Sequence, residues 1–234
     1  MAISKEDVRE AASTVVETLD LELNPVAVRL YLSEDDVPDG YERAEEELRH
    51  CEFVMRVARG DLDKVYATPD EQVCKGGASA IGLVDIPAPV RDGRFYHEQL
   101  GQHATLTAAK RTVDQVPKAY DGEGVYEAVT YERATEADVV PDSVLIICPP
   151  KEAMHIVQAY LYQEGGRVQT DFSGIQSLCG DAVGGIIKRG GINVTLGCNG
   201  SRTYAEVPRE CVIIGLEPAA LKRVGEAITE IPIP

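Results

Sequence analysis

The chain has 234 residues, 44% of them hydrophobic and 26% charged, and a formal net charge of −16. That length supports one large domain or two intimate halves with an ample core, and the acidic excess excludes a general nucleic-acid binder or a protein that docks on anionic lipid. The first residues lack a basic start followed by an apolar run, and no stretch reaches the roughly 18 apolar residues of a membrane span. The expectation is a cytoplasmic protein whose six cysteines are reduced, so metal binding, catalysis or core packing explains them better than disulfides do.

In chain order, Ser4 to Leu19 reads as an amphipathic helix. Ser4 is the N-cap with Asp7 three residues on, and Val8, Ala11, Val15 and Leu19 form one stripe. Pro25 opens a strand over Val26 to Leu32, closed by the acidic loop Ser33 to Gly40. Tyr41, Ala44, Leu48, Cys51, Met55 and Ala58 keep a 3,4 spacing, which predicts one continuous helix ended by Gly60, with Cys51 on its apolar face. A short strand over Val65 to Ala67 leads through Pro69 to Cys74. Residues from Val84 to Asp142 are interrupted by Pro87, Pro89 and Pro117 and read as a connection, with a helix near Leu100 to Val113 and a strand near Tyr126 to Tyr131.

The second half opens on a buried strand, Val144 to Cys148, stopped by Pro149-Pro150 and followed by a helix over Lys151 to Gln163. Val168 to Phe172 is a candidate strand. Ile175, Leu178, Cys179, Ala182, Val183 and Ile186 give a second apolar helical face that carries a cysteine. Gly190-Gly191 precedes a strand over Ile192 to Leu196; a strand over Cys211 to Ile214 and a helix over Pro218 to Ile231 close the chain. The alternation predicts an α/β fold, a mixed sheet with flanking helices, as a single domain over residues 1–234. Its halves, 1–120 and 121–234, share the order strand, helix, strand, Cys-x-Gly turn, as an internal duplication would, but otherwise look unalike.

Four cysteines stand out. Cys51 and Cys179 lie on helical faces, and Cys74 and Cys198 lie in Cys-x-Gly turns. Thiolate sulfur is the preferred ligand of iron–sulfur clusters and of structural zinc, and a glycine turn lets backbone approach a cluster and aim amides at sulfur. Against this, buried cysteine also behaves as a plain small hydrophobe, and no Cys-x-x-Cys occurs. Cys148 and Cys211 fall in strand-like runs and read as core. Gly76, Gly200, Ser201 and Arg202 are the accompanying binding residues, with Arg202 placed to hold a small anion. Lys75 is positioned to lower the Cys74 thiol. His50, His97, His103 and His155 lack metal spacing, and no phosphate loop or serine-hydrolase elbow is present.

The segments Asn24-Pro25-Val26-Ala27-Val28, Cys51 with Ala58-Arg59-Gly60, Cys74-Lys75-Gly76-Gly77-Ala78 and Gly197-Cys198-Asn199-Gly200-Ser201-Arg202 resemble domain of unknown function 169. This family occurs in archaea and anaerobic bacteria, and the resemblance runs from about residue 15 to about residue 231. It implies a cytoplasmic, single-domain frame without naming a reaction, and its cysteine positions correspond to Cys51, Cys74, Cys179 and Cys198. The expected function is a redox or cofactor-linked protein with a [4Fe–4S] cluster on those four thiols. An electron-transfer partner or a small anionic ligand, and a homodimer, are compatible with it. The alternatives are a structural zinc site, or a metal-free small-molecule binding or sensing protein.

Overall fold

The computed structural model describes residues 2–120 and 124–232. Helix α1 (Lys5–Leu19) begins where the sequence places it: the Ser4 hydroxyl accepts the Asp7 amide at 3.1 Å while the Asp7 carboxylate accepts the Ser4 amide at 2.8 Å. Asp7 also pairs with Lys222 of the last helix, α9 (Pro218–Ile228), and Gly225 of α9 packs directly on Ala11. With α6 (Pro150–Leu161), these helices bury Val8, Ala12, Val15, Ile156, Leu221 and their neighbours against one face of the sheet.

The strands are β1 (Val26–Tyr31), β2 (Glu42–Arg43), β3 (Val65–Ala67), β4 (Ala128–Arg133), β5 (Ser143–Cys148), β6 (Ile192–Thr195) and β7 (Val212–Leu216). They form one mixed sheet in the order β2-β3-β4-β1-β5-β7-β6, in which β2 and β3 run parallel and every other pair antiparallel. The opposite face is covered by α2 (His50–Arg59), α3 (Lys75–Ala80), a π-helical segment (Ser177–Gly184) that continues as α7 (Gly185–Arg189), and α8 (Asn199–Thr203). Phe53, Met55, Leu145, Leu178 and Ile213 belong to the core beneath them. Two further helices, α4 (Ala88–Arg91) and α5 (Leu106–Asp114), pack with Tyr96 and Ile175 as a satellite cluster.

The expected α/β class holds, with mixed sheet and flanking helices. Without β2, the sheet is palindromic about the β1–β5 pair. Laying β1 on β5, Val26 onto Ser143 and Tyr31 onto Cys148, carries β4 through the observed registers onto residues 212–217 and β3 onto 193–195. The faces agree as well: Val28 and Leu145, Leu30 and Ile147, and Val129 and Ile213 share one core, and Ala27 and Val144 share the other. A pseudo-twofold normal to the sheet therefore relates the six strands.

Several local expectations are corrected. The helix expected from Tyr41 begins only at His50, because the preceding residues are captured by the sheet edge. The Ala44 amide donates to the Tyr66 carbonyl at 2.8 Å and the Leu48 amide to the Glu71 carbonyl at 2.9 Å. Residues 168–172 form no strand; the Asn193 side chain takes a strand partner's place, accepting from the Asp171 amide at 2.8 Å and donating to its carbonyl at 3.0 Å. The helix expected from Ile175 is π-wound over Ser177–Gly184, with Gln176 in the left-handed region at φ 49° as its cap. The middle of the chain is more than a connection: β4 lies inside the sheet between β3 and β1.

Candidate functional site

Each of the four singled-out cysteines is set by a different element, all on the same side of the sheet. Cys51 is the second residue of α2, and Cys179 lies on the π-helical segment. Cys74 and Cys198 are the N-caps of α3 and α8. The thiols are electrostatic neighbours. Ionisation of Cys179 is opposed by Cys74, Cys198 and Cys51, that of Cys51 by Cys198 and Cys74, and that of Cys74 by Cys198. Gly77 stands between two of them, since a Cβ at that position would lie 3.4 Å from the Cys179 Sγ and 3.5 Å from the Cys74 Sγ.

The turn cysteines receive backbone donors, as N-caps do. The Gly77 amide donates to Cys74 Sγ and the Ser201 amide to Cys198 Sγ, both at 3.4 Å. Ser201 closes a reciprocal box, accepting from the Cys198 amide at 2.9 Å. The electrostatics are uneven. Burial pushes Cys51, Cys74 and Cys179 above an ordinary thiol, most strongly at Cys179. Burial opposes the Cys198 thiolate as well, but the backbone amides of Ser201 and Ser177 outweigh it and hold this thiol below its usual value. Cys51, Cys74 and Cys198 are only partly buried, so the site reaches the surface.

Sequence reasoning missed the polar shell. Ser177 is fully buried, and no atom stands at conventional hydrogen-bond geometry to its Oγ. Beneath α2, the Tyr131 hydroxyl lies 2.9 Å from His50 Nδ1 and accepts from Gln72 Nε2 at 3.2 Å. Burial pushes the His50 imidazole down to about 3, so it is neutral. On the other flank Gln176 donates to the Tyr96 hydroxyl at 2.8 Å, and the two residues line the open side of Gly76. Arg49 stacks on Tyr204 with its guanidinium 3.6 Å from the ring centre, and its charge favours the Cys74 thiolate. No motif announces Ser177, Gln176 or Tyr96; only the cysteine beside Ser177 and Gln176 points to them.

Other expected residues are placed differently. The Arg202 guanidinium donates to the carbonyls of Leu196 (3.1 Å), Val207 (3.4 Å), Cys211 (2.8 Å) and Pro208, clamping the chain between β6 and β7. Lys75 donates to the Pro69 carbonyl at 2.9 Å, and the Cys74 thiol is raised rather than lowered. Gly200 lies beside the Cys198 sulfur, where a Cβ would stand at an ordinary contact of 3.7 Å. Cys148 is core, as expected, and Cys211 is buried immediately before β7. His97 and His103 are joined through a ring-to-carbonyl contact of 2.9 Å. Among the described residues, no group of three or more His, Cys, Asp or Glu side chains is arranged to hold a metal ion, and no helix is long and apolar enough to cross a membrane.

The chain belongs to the family of domain of unknown function 169, described as "Uncharacterised ArCR", whose model matches residues 14–227. It is similar to an uncharacterized protein of Methanocaldococcus jannaschii, at 45% identity over 223 residues, covering 95% of this chain and 94% of the relative. No solved structure matches it.

Proposed function

We propose that Cys51, Cys74, Cys179 and Cys198 hold an iron–sulfur cluster of the [4Fe–4S] type in a redox protein. The observation that carries this reading is the mutual electrostatic coupling of four thiols delivered by four separate elements to one face of the sheet. The donor set fits the group. Four sulfurs match its ligand count, amides at Cys74 and Cys198 are the hydrogen bonds that stabilise cluster thiolates, and Gly77 keeps side-chain bulk from between two of the sulfurs. A single tetrahedral ion needs every sulfur about 2.3 Å from one point. A cluster several atoms across takes ligands set wider apart than a single ion does. The cluster would supply one-electron chemistry. The protein's own part would be to hold it with one side toward the surface, where an electron partner can approach, and to favour thiolate at Cys198.

The test is anoxic purification of the whole chain with iron, sulfide and zinc analysis. About four irons and four sulfides per chain, with visible absorbance lost in Cys51→Ser and Cys198→Ser, is the expected result. Zinc in place of iron would replace the cluster by a structural ion. Metal-free protein, with both variants merely less stable, would overturn the reading.

A further inference from the structure

Away from the cysteines, a cleft of about 180 Å³ opens between α5, the irregular segment at 171–173 and the π-helical segment. It is well below the roughly 300–1,000 Å³ of drug-sized pockets, so its occupant is a small metabolite. Asp181 forms its floor. This carboxyl is 1% exposed and accepts one side-chain hydrogen bond, from Thr195 Oγ1 at 2.8 Å. A carboxylate offers about four acceptor positions, so capacity is left over. The nearby cation Arg189 is bound to Asp171 at 2.8 Å and does not neutralise Asp181. Arg111, an exposed residue that also lines the cleft, has no hydrogen-bond or ion-pair partner among the described residues, leaving its planar fork of donors open. The Phe172 ring, 45% exposed, adds an apolar wall.

The cleft thus presents one buried acceptor that lacks a cation and one cation that lacks an anion. We propose that it binds a small free amino acid, with the ammonium on Asp181, the carboxylate on Arg111 and the side chain against Phe172. Ammonium suits Asp181 better than hydroxyl because a buried carboxylate gains most from a charge-assisted donor. The carboxylate suits the guanidinium because the two can meet through paired hydrogen bonds. The other two clefts offer no such complement of open groups. In the one beside β2 the cations are already engaged, Arg43 with Glu71, Arg56 with Glu46 and Lys64 with Asp138. The one behind α7 includes the Arg189–Asp171 pair. The proposal does not depend on a cluster being bound.

The experiment is calorimetric titration of the whole chain at pH 8, where the Asp181 carboxyl is mostly ionised, with each proteinogenic amino acid at millimolar concentration, and with lactate, which replaces the ammonium by a hydroxyl. Saturable binding of at least one small amino acid is expected, weakened roughly tenfold or more in Arg111→Gln and in Asp181→Asn. It should persist in Cys51→Ser, and lactate should bind more weakly still. Absence of binding by every amino acid, binding untouched by both cleft substitutions, or lactate binding as tightly as the amino acid would overturn the proposal.

Discussion

Asp181 gives the sharpest quantitative test of the fold's electrostatics. Burial, reinforced by Asp171, pushes its carboxyl from 3.8 to about 7, against the opposing pull of the Thr195 hydrogen bond and of Arg189. The folded value is the higher one, so between about pH 4 and pH 7 the folded chain holds a proton that the unfolded chain has released. Stability therefore falls as pH rises through that window, by about 1.4 kcal/mol per pH unit. The accumulated loss is about 4 kcal/mol by pH 8. Asp181→Asn keeps the shape and an oxygen for Thr195 but cannot titrate. Urea unfolding of both proteins at pH 4 and pH 8 measures the effect, and the other titrating groups cancel in the difference. The variant is expected to match the parent within about 1 kcal/mol at pH 4 and to exceed it by a few kcal/mol at pH 8. An equal difference at both pH values, or a variant less stable than the parent at pH 8, would refute the reasoning.

Two further substitutions probe the frame around the cysteines. Arg202→Ala removes charge-assisted donors from the carbonyls of Leu196, Val207, Pro208 and Cys211, and should cost about 2–3 kcal/mol in urea unfolding, with Arg202→Lys recovering only part. A loss below about 0.5 kcal/mol would mean that water replaces the clamp. Tyr131→Phe keeps the ring stacked on Phe53, at 5.1 Å between centres, but strands His50 Nδ1 and Gln72 Nε2 in the core. It should cost about 2 kcal/mol or more, and thermal melting unchanged from the parent would contradict that.

Much of the architecture was legible in the sequence because local rules and tertiary demands agree there. The Ser4 cap, the Gly60 stop at φ 83°, and the strands beginning near Val26, Val65, Val144 and Ile192 stand where pattern places them. Pattern failed where tertiary contacts override period. Residues 41–48 have helical spacing, yet their amides are taken by carbonyls of the β3 region. The π winding of 177–184 cannot be read from apolar spacing, nor can the close packing of its glycines on the chain near Pro117. A Cβ on Gly184 would lie 2.9 Å from the Pro117 carbonyl oxygen. The sequence singled out the four cysteines that come to one side of the sheet, but the partners of Arg202 were not legible. An arginine beside glycine amides looks like an anion holder, and only the return of the chain through Val207 and Cys211 supplies the carbonyls that occupy it.

The cysteine spacing differs between the halves, 23 residues from Cys51 to Cys74 and 19 from Cys179 to Cys198, and the difference has a simple structural account. Cys51 lies 16 residues before Ala67, the last residue of β3, and Cys179 lies 16 residues before Thr195, the last residue of β6. The registers make those two strand ends equivalent under the pseudo-twofold, so Cys51 and Cys179 occupy matching positions. The whole discrepancy lies in the next loop: Cys74 follows β3 by seven residues, whereas Cys198 follows β6 by three. Both still end as N-caps of short helices with the third residue's amide on sulfur. A twofold normal to the sheet cannot move a feature from one face to the other. Doubling a unit with one helix cysteine and one capping cysteine therefore gathers four thiols on a single face. Local donors then break that symmetry, since the amides of Ser201 and Ser177 outweigh burial at Cys198, while at Cys74 burial prevails over the amides of Gly77 and Gly76. The backbone repeat accounts for the pairing of the thiols, and the amides that reach Cys198 account for its being the most acidic of them.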